Sequence, residues 1–173
     1  MWGNHVVHID GRLNLGDEKK VAAIDFHDPE HTVVQATGPG GNVYPALQIS
    51  DVIHQRGWAT MLAAEQLCAS ACTYIWLSGR RSVIQRGALL CFHQVSDGNT
   101  HQPLPEVNPY LASRLVEYGL TRQQAWALVN AAPPEDARCM NPIWSMLLGF
   151  HPQSVFTFGA VNACRAKFCR ALP

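Results

Sequence analysis

Two hydrophobic periods alternate along this chain. Residues His5–Ile9 read as a strand that turns at Asp10-Gly11. Asp17–Phe26 then reads as a helix, with Asp17 placed to cap it, Val21, Ala22 and Ile24 apolar, and Asp28-Pro29 ending it. A strand over Thr32–Thr37 runs into the turn Gly38-Pro39-Gly40-Gly41-Asn42. After that turn Val43–Gln55 carries Val43, Ala46, Leu47, Ile49, Val52 and Ile53 at helical spacing and stops at Gly57. Trp58–Leu62 is predicted as a strand. Ala71–Leu77 is apolar all round, which predicts a helix buried at the domain centre. Strands are predicted near Ser82–Ile84 and Ala88–His93. Beyond the turn-rich loop Ser96–Pro105, helices are expected over Val107–Tyr118 and Thr121–Asn130, separated by Gly119. Pro142 after Asn141 opens a last helix to Leu148. The alternation of strands and helices implies an α/β architecture.

The length of 173 residues, without an obvious internal repeat, suits a single domain with a substantial core. Thirteen basic and thirteen acidic side chains cancel, and no basic run is longer than Arg80-Arg81. The electrostatic footprint of nucleic-acid or anionic-membrane binding is therefore missing. No apolar run approaches the roughly 20 residues of a membrane span. The N-terminus Met1-Trp2-Gly3-Asn4-His5 lacks the charged and apolar regions of a secretion signal. A soluble chain is expected.

Six cysteines are present, but Cys91 sits inside an apolar strand pattern, and Cys139, Cys164 and Cys169 show no zinc-ribbon spacing. No metal site or cofactor is expected. Cys68 and Cys72 pose a sharper question. Two residues four apart on one helix hold their β-carbons about 5–6 Å apart, beyond the roughly 3.5–4.5 Å that a disulfide tolerates. They can bridge only if Cys68 precedes the helix; the other reading is two small buried thiols.

A hydroxyl becomes a useful nucleophile only when a neighbouring imidazole takes its proton. Ser70, in Cys68-Ala69-Ser70-Ala71-Cys72, opens the buried helix, and His93 closes the apolar run Leu89-Leu90-Cys91-Phe92-His93. The glycine turn before Asn42 can aim backbone N–H groups at an oxyanion. Spacing alone favours blander roles. Ser70 is an apt helix N-cap, His93 an apt half-buried histidine, and Gly40 and Gly41 an ordinary strand-to-helix turn. The remaining histidines show no ligand spacing.

With these residues placed, the chain resembles the ClpP/crotonase superfamily nearly end to end. The resemblance rests on Ile9-Asp10-Gly11, Gly38-Pro39-Gly40-Gly41, the helix Asn42–Arg56, the Cys68–Cys72 block, the Gly79-Arg80-Arg81 exit and Cys91-Phe92-His93-Gln94. Within the superfamily the Cys-Ala-Ser-Ala-Cys form looks like the periplasmic ClpP-like proteins. The resemblance implies a repeated β-β-α superhelix with a protruding helical handle at about residues 105–131. It implies Ser70 as nucleophile, His93 as general base, and the N–H groups of Ala71 and of Gly40 or Gly41 as oxyanion hole. Asp136, in Pro134-Glu135-Asp136 ahead of the final helix, would orient the imidazole. Asp97 or a backbone carbonyl could take that third role instead.

The expected activity is that of a serine endopeptidase acting on peptides or unfolded protein; the alternative is an inactive ClpP-like scaffold for self-assembly or peptide binding. The lysine base of related signal peptide peptidases is excluded because Lys19, Lys20 and Lys167 lie far from any plausible site element. The Ser-then-His order also departs from acyl-CoA enzymes. A homo-oligomer is expected, because Leu111, Leu115, Tyr118, Leu120, Trp126, Leu128 and Val129 put more apolar surface on two short helices than a small domain buries alone.

Overall fold

A computed structural model describes residues 5–140. The final helix expected from Asn141, together with Cys164, Lys167 and Cys169, lies outside the described residues. Seven strands form a continuous, mostly parallel sheet: β1 (His5–Leu13), β2 (Thr32–Gly41), β3 (Ala59–Leu62), β4 (Leu67–Ala69), β5 (Ser82–Ile84), β6 (Leu89–Phe92) and β7 (Arg138–Cys139). Five helices join them: α1 (Asp17–Ala22), α2 (Val43–Arg56), α3 (Cys72–Leu77), α4 (Asn108–Glu117) and α5 (Arg122–Val129).

Strand β2 is the hinge of the architecture. Its first half pairs Val33–Gln35 with Ala59–Met61 of β3, and its second half pairs Gly38 with Cys68 of β4. β1 runs along its other side over the whole length. The sheet therefore divides at β2 into one branch through β3 to β5 and another through β4 to β6 and β7. Among the seven described strands the one antiparallel pair is β6 with β7.

Between Asp10 and Arg12 of β1 the partners on β2 advance from Thr37 to Gly40. Gly38 and Pro39 thus stand opposite the single residue Gly11, a bulge in a parallel pair. Gly11 and Gly38 meet there so closely that a β-carbon on Gly38 would lie 2.2 Å from the Gly11 carbonyl oxygen. The bulge explains why the strands continue where the sequence suggested turns at Asp10-Gly11 and after Thr37. Gly11 and Gly38 hold positive φ within a ladder that resumes beyond them.

Helix α2 follows directly. Asn42 caps it by accepting from the Tyr44 N–H, Ala46, Leu47, Ile49 and Ile53 line its buried face, and left-handed Gly57 closes it. All six residues of α3 are buried, as the apolar run predicted. The first helix is shorter than its pattern. Arg56 donates to the carbonyls of Ala22 and Ile24, ending α1 early. Phe26 instead stacks on His5 and lies against Trp58. Asp17 is the first helical residue rather than the cap; its carboxylate accepts from the Asn14 N–H.

The apolar faces of α4 and α5 correct the reasoning that led to an oligomer. Leu111, Leu115, Tyr118, Leu120, Leu128 and Val129 are all buried within the chain's own core, and of the seven residues only Trp126 is exposed. These helices are fastened to α2: Arg114 pairs with Asp51, and the Tyr118 hydroxyl donates to the same carboxylate at 2.8 Å.

Candidate active site

Ser70 occupies the turn between β4 and α3, with a φ of 53°. That left-handed conformation is costly for any residue bearing a β-carbon and persists only where the surroundings enforce it. Here they do so from several sides. The Ser70 N–H donates to the Cys91 carbonyl at 3.0 Å, and its carbonyl accepts from the Thr73 N–H and hydroxyl at 2.9 and 2.7 Å. Cys68, the middle residue of β4, is joined by a disulfide to Cys72, the first residue of α3. Because Cys68 lies on the strand and not the helix, the geometric obstacle to a bridge four residues long disappears.

Gly40 packs directly behind the serine. A β-carbon built on it would stand 2.7 Å from the Ala69 carbonyl oxygen, 2.7 Å from the Ser70 β-carbon and 2.9 Å from the Ala71 nitrogen. Its φ of 97° likewise favours glycine. Gly41 is equally confined, by the backbone of Leu13.

His93 follows the last residue of β6 and is half-buried. Its Nδ1 lies 2.7 Å from the Gln94 carbonyl oxygen. Since a carbonyl can only accept, this contact places the ring hydrogen on Nδ1 and leaves the lone pair on Nε2. Burial pushes the imidazole pKa below its ordinary value, with the Gln94 carbonyl partly opposing it. Gln94 is itself held, its N–H by the Ala132 carbonyl at 2.8 Å and its side chain by Asn130, which also accepts from Asn108.

Ser70, Ala71, Gly41 and His93 line one cleft of about 880 Å³. Asp136 does not line it. It is exposed, and its carboxylate accepts from the Ala137 N–H at 2.7 Å. Asp97 is spent on its own loop, accepting from Asn99 and Thr100. That a backbone carbonyl orients the ring was one of the alternatives, but residue order does not single out Gln94, because a backbone carbonyl has no residue-type signature, and it does not reveal the pairing of the remaining cysteines. Cys91 and Cys139 form a second disulfide, two residues before His93. Arg80, from the exit of α3, pairs with Glu30. No cluster of three metal-ligating side chains occurs among the described residues.

Neither a family model nor a curated protein sequence matches the chain. Solved structures do. A mutant of the 1510-N membrane-bound stomatin-specific protease superposes with a TM-score of 0.61 at 17% identity, covering 86% of this chain and 78% of that one. ClpP1 from Listeria monocytogenes gives 0.62 at 15% identity over 83% and 86% of the two chains. A second 1510-N mutant, in complex with a substrate peptide, gives 0.62 at 16% over 84% and 71%. The fold is that of the ClpP-like serine proteases. At this level of identity the likeness is one of architecture. Within the ClpP-like fold, the division of the sheet at β2 brings the tip of β2, the turn after β4 and the end of β6 to one cleft. No helix among the described residues is long and apolar enough to cross a membrane.

Proposed function

We propose that this protein is a serine peptidase. The observation that carries the reading is the constrained left-handed turn at Ser70, in one cleft with a histidine whose Nδ1 is tied and whose Nε2 is left basic. Strained residues of this kind gather at functional sites, and a serine on a sharp strand-to-helix turn has its hydroxyl lifted clear of the sheet.

In the proposed reaction the Ser70 hydroxyl attacks a peptide carbonyl while His93 Nε2 takes its proton. The oxyanion that forms is received by the Ala71 N–H and an N–H of the Gly40-Gly41 turn. His93 then gives the proton to the leaving amine as the carbon–nitrogen bond breaks, and water, activated by the same nitrogen, releases the acyl group. The Gln94 carbonyl orients the ring in the role first assigned to Asp136. The substrate is a peptide segment, as one of the similar structures holds a substrate peptide. Any assembly of copies uses surfaces other than the covered faces of α4 and α5. The two disulfides support an oxidising compartment, in line with the periplasmic resemblance of the Cys68–Cys72 block.

The test is covalent labelling with a fluorophosphonate, read by intact mass. One adduct, lost in Ser70→Ala and in His93→Ala, is expected. A folded protein that takes no label would return the chain to the scaffold reading.

A further inference from the structure

We infer that the cleft selects peptides carrying a carboxylate, and that Arg12 is the residue that reads it; this rests on the peptidase reading above. Arg12 belongs to β1 but lies beyond the bulge, paired in register with Gly40, while Leu13 pairs with Gly41. Gly40 touches Ser70 and Ala71. Adjacent strands are about 4.8 Å apart, so the arginine stem starts one strand away from the glycine turn that backs the nucleophile. A guanidinium there comes within one or two substrate residues of the scissile bond.

The charge around it is one-sided. Arg12 lines the cleft and is exposed. It makes no ion pair with any described residue, whereas Arg56, Arg80 and Arg114 are each engaged by a carbonyl or carboxylate. No aspartate or glutamate lines the cleft, whose other side chains able to carry positive charge are His93 and His101. The nearest acid along β1, Asp10, accepts from the Thr37 hydroxyl at 2.6 Å instead. Asp17, beyond Leu15, is taken by Lys20 and the Asn14 N–H. The cation is therefore left for a ligand.

The apolar surroundings fit a peptide rather than a free anion. Six large hydrophobic side chains are exposed among the described residues, and Leu15, Tyr44 and Tyr110 of these line this one cleft. A bound chain would cover them and withdraw water from the guanidinium, strengthening a pair that is weak when solvated. The carboxylate can come from an acidic side chain or from a free C-terminus.

Binding is measured by fluorescence anisotropy on Ser70→Ala protein, so that the result does not depend on turnover. Three fluorescent peptides share one apolar sequence: one with a glutamate and an amidated end, one with glutamine and a free carboxylate end, and one with glutamine and an amidated end. At least one carboxylate peptide is expected to bind about tenfold tighter than the neutral one, the worth of one charge-assisted hydrogen bond. Arg12→Gln removes that preference, while Arg12→Glu reverses it. Whichever carboxylate responds identifies the source. Equal binding of all three peptides, or a preference that survives Arg12→Gln, overturns the proposal. Absence of fluorophosphonate labelling in the protein that retains Ser70, with the preference intact, would instead count against the peptidase reading alone.

Discussion

Gly40 sits so close to Ser70 that a single added carbon on the glycine would lie 2.7 Å from the serine β-carbon. Gly40 belongs to β2 and Ser70 to the turn after β4, and the pairing of Gly38 with Cys68 sets the two side by side. Gly40→Ala must therefore displace backbone, since the atoms it meets include the Ala69 carbonyl and the Ala71 nitrogen. We expect a stability loss of at least about 1–3 kcal/mol, set by the left-handed backbone, together with loss of fluorophosphonate labelling. A folded Gly40→Ala protein that labels at the original rate would contradict the geometry.

The pH dependence follows from His93. Desolvation disfavours its imidazolium, so the folded pKa lies below the ordinary 6.5. The ring is then neutral at pH 7 and a competent base. As pH falls through the lowered pKa, Nε2 gains a proton and can no longer accept one from Ser70. Labelling rate should be flat above neutrality and decline on the acid side with a midpoint below 6.5. A midpoint above that value would mean that a carboxylate, not burial, governs the ring.

Asp136→Asn should leave the labelling rate unchanged, because its carboxylate serves the Ala137 N–H and not the imidazole. Asn130→Ala should be the more damaging change. It frees the Gln94 side chain and strips buried Asn108 of its partner, loosening the carbonyl that aligns His93. Misplacement of a catalytic group by an ångström can cost about a hundredfold, so a tenfold slower labelling is a modest expectation, beside a stability loss of about 1–3 kcal/mol from the orphaned Asn108 amide. Slowed labelling in Asp136→Asn would restore that residue to the triad.

The two disulfides should separate stability from activity. By loop entropy the Cys91–Cys139 bridge, with a sequence separation of 48, contributes about 4 kcal/mol and the Cys68–Cys72 bridge, with a separation of 4, about 2 kcal/mol. The double serine variant of the first pair should lower the urea midpoint more. That of the second should cost less stability but more labelling, since it unclamps the turn that carries Ser70. The opposite pattern would argue that the short bridge has no part in shaping the site.

Much of this was legible in the sequence where the signal was local. The helix stop at Gly57, the buried run Cys72–Leu77 and the pairing of a serine turn with a histidine strand end all sit within a few residues of their cause. Strand β4 was not legible: it has only three residues and is defined by its neighbours β2 and β6. The burial of Leu111, Leu115 and Leu128 was also misjudged. An apolar stripe predicts that something covers it, but not that the cover is the same chain's α2 and core. The Gln94 carbonyl and the Cys91–Cys139 bridge belong to the same class, fixed by tertiary placement and silent in residue order.

The Cys91–Cys139 bond also closes residues 92–138 into a loop beside the sheet. The residues from His93 to Leu111 that form one wall of the cleft all belong to this loop, and the opposite wall, from Arg12 to Ala71, does not. Arg114 and Tyr118 tie the same loop to Asp51 of α2. The wall that carries His93 is thus held at two separate places, by a covalent bond to the sheet two residues from the imidazole and by one shared carboxylate on the helix that follows the Gly40-Gly41 turn.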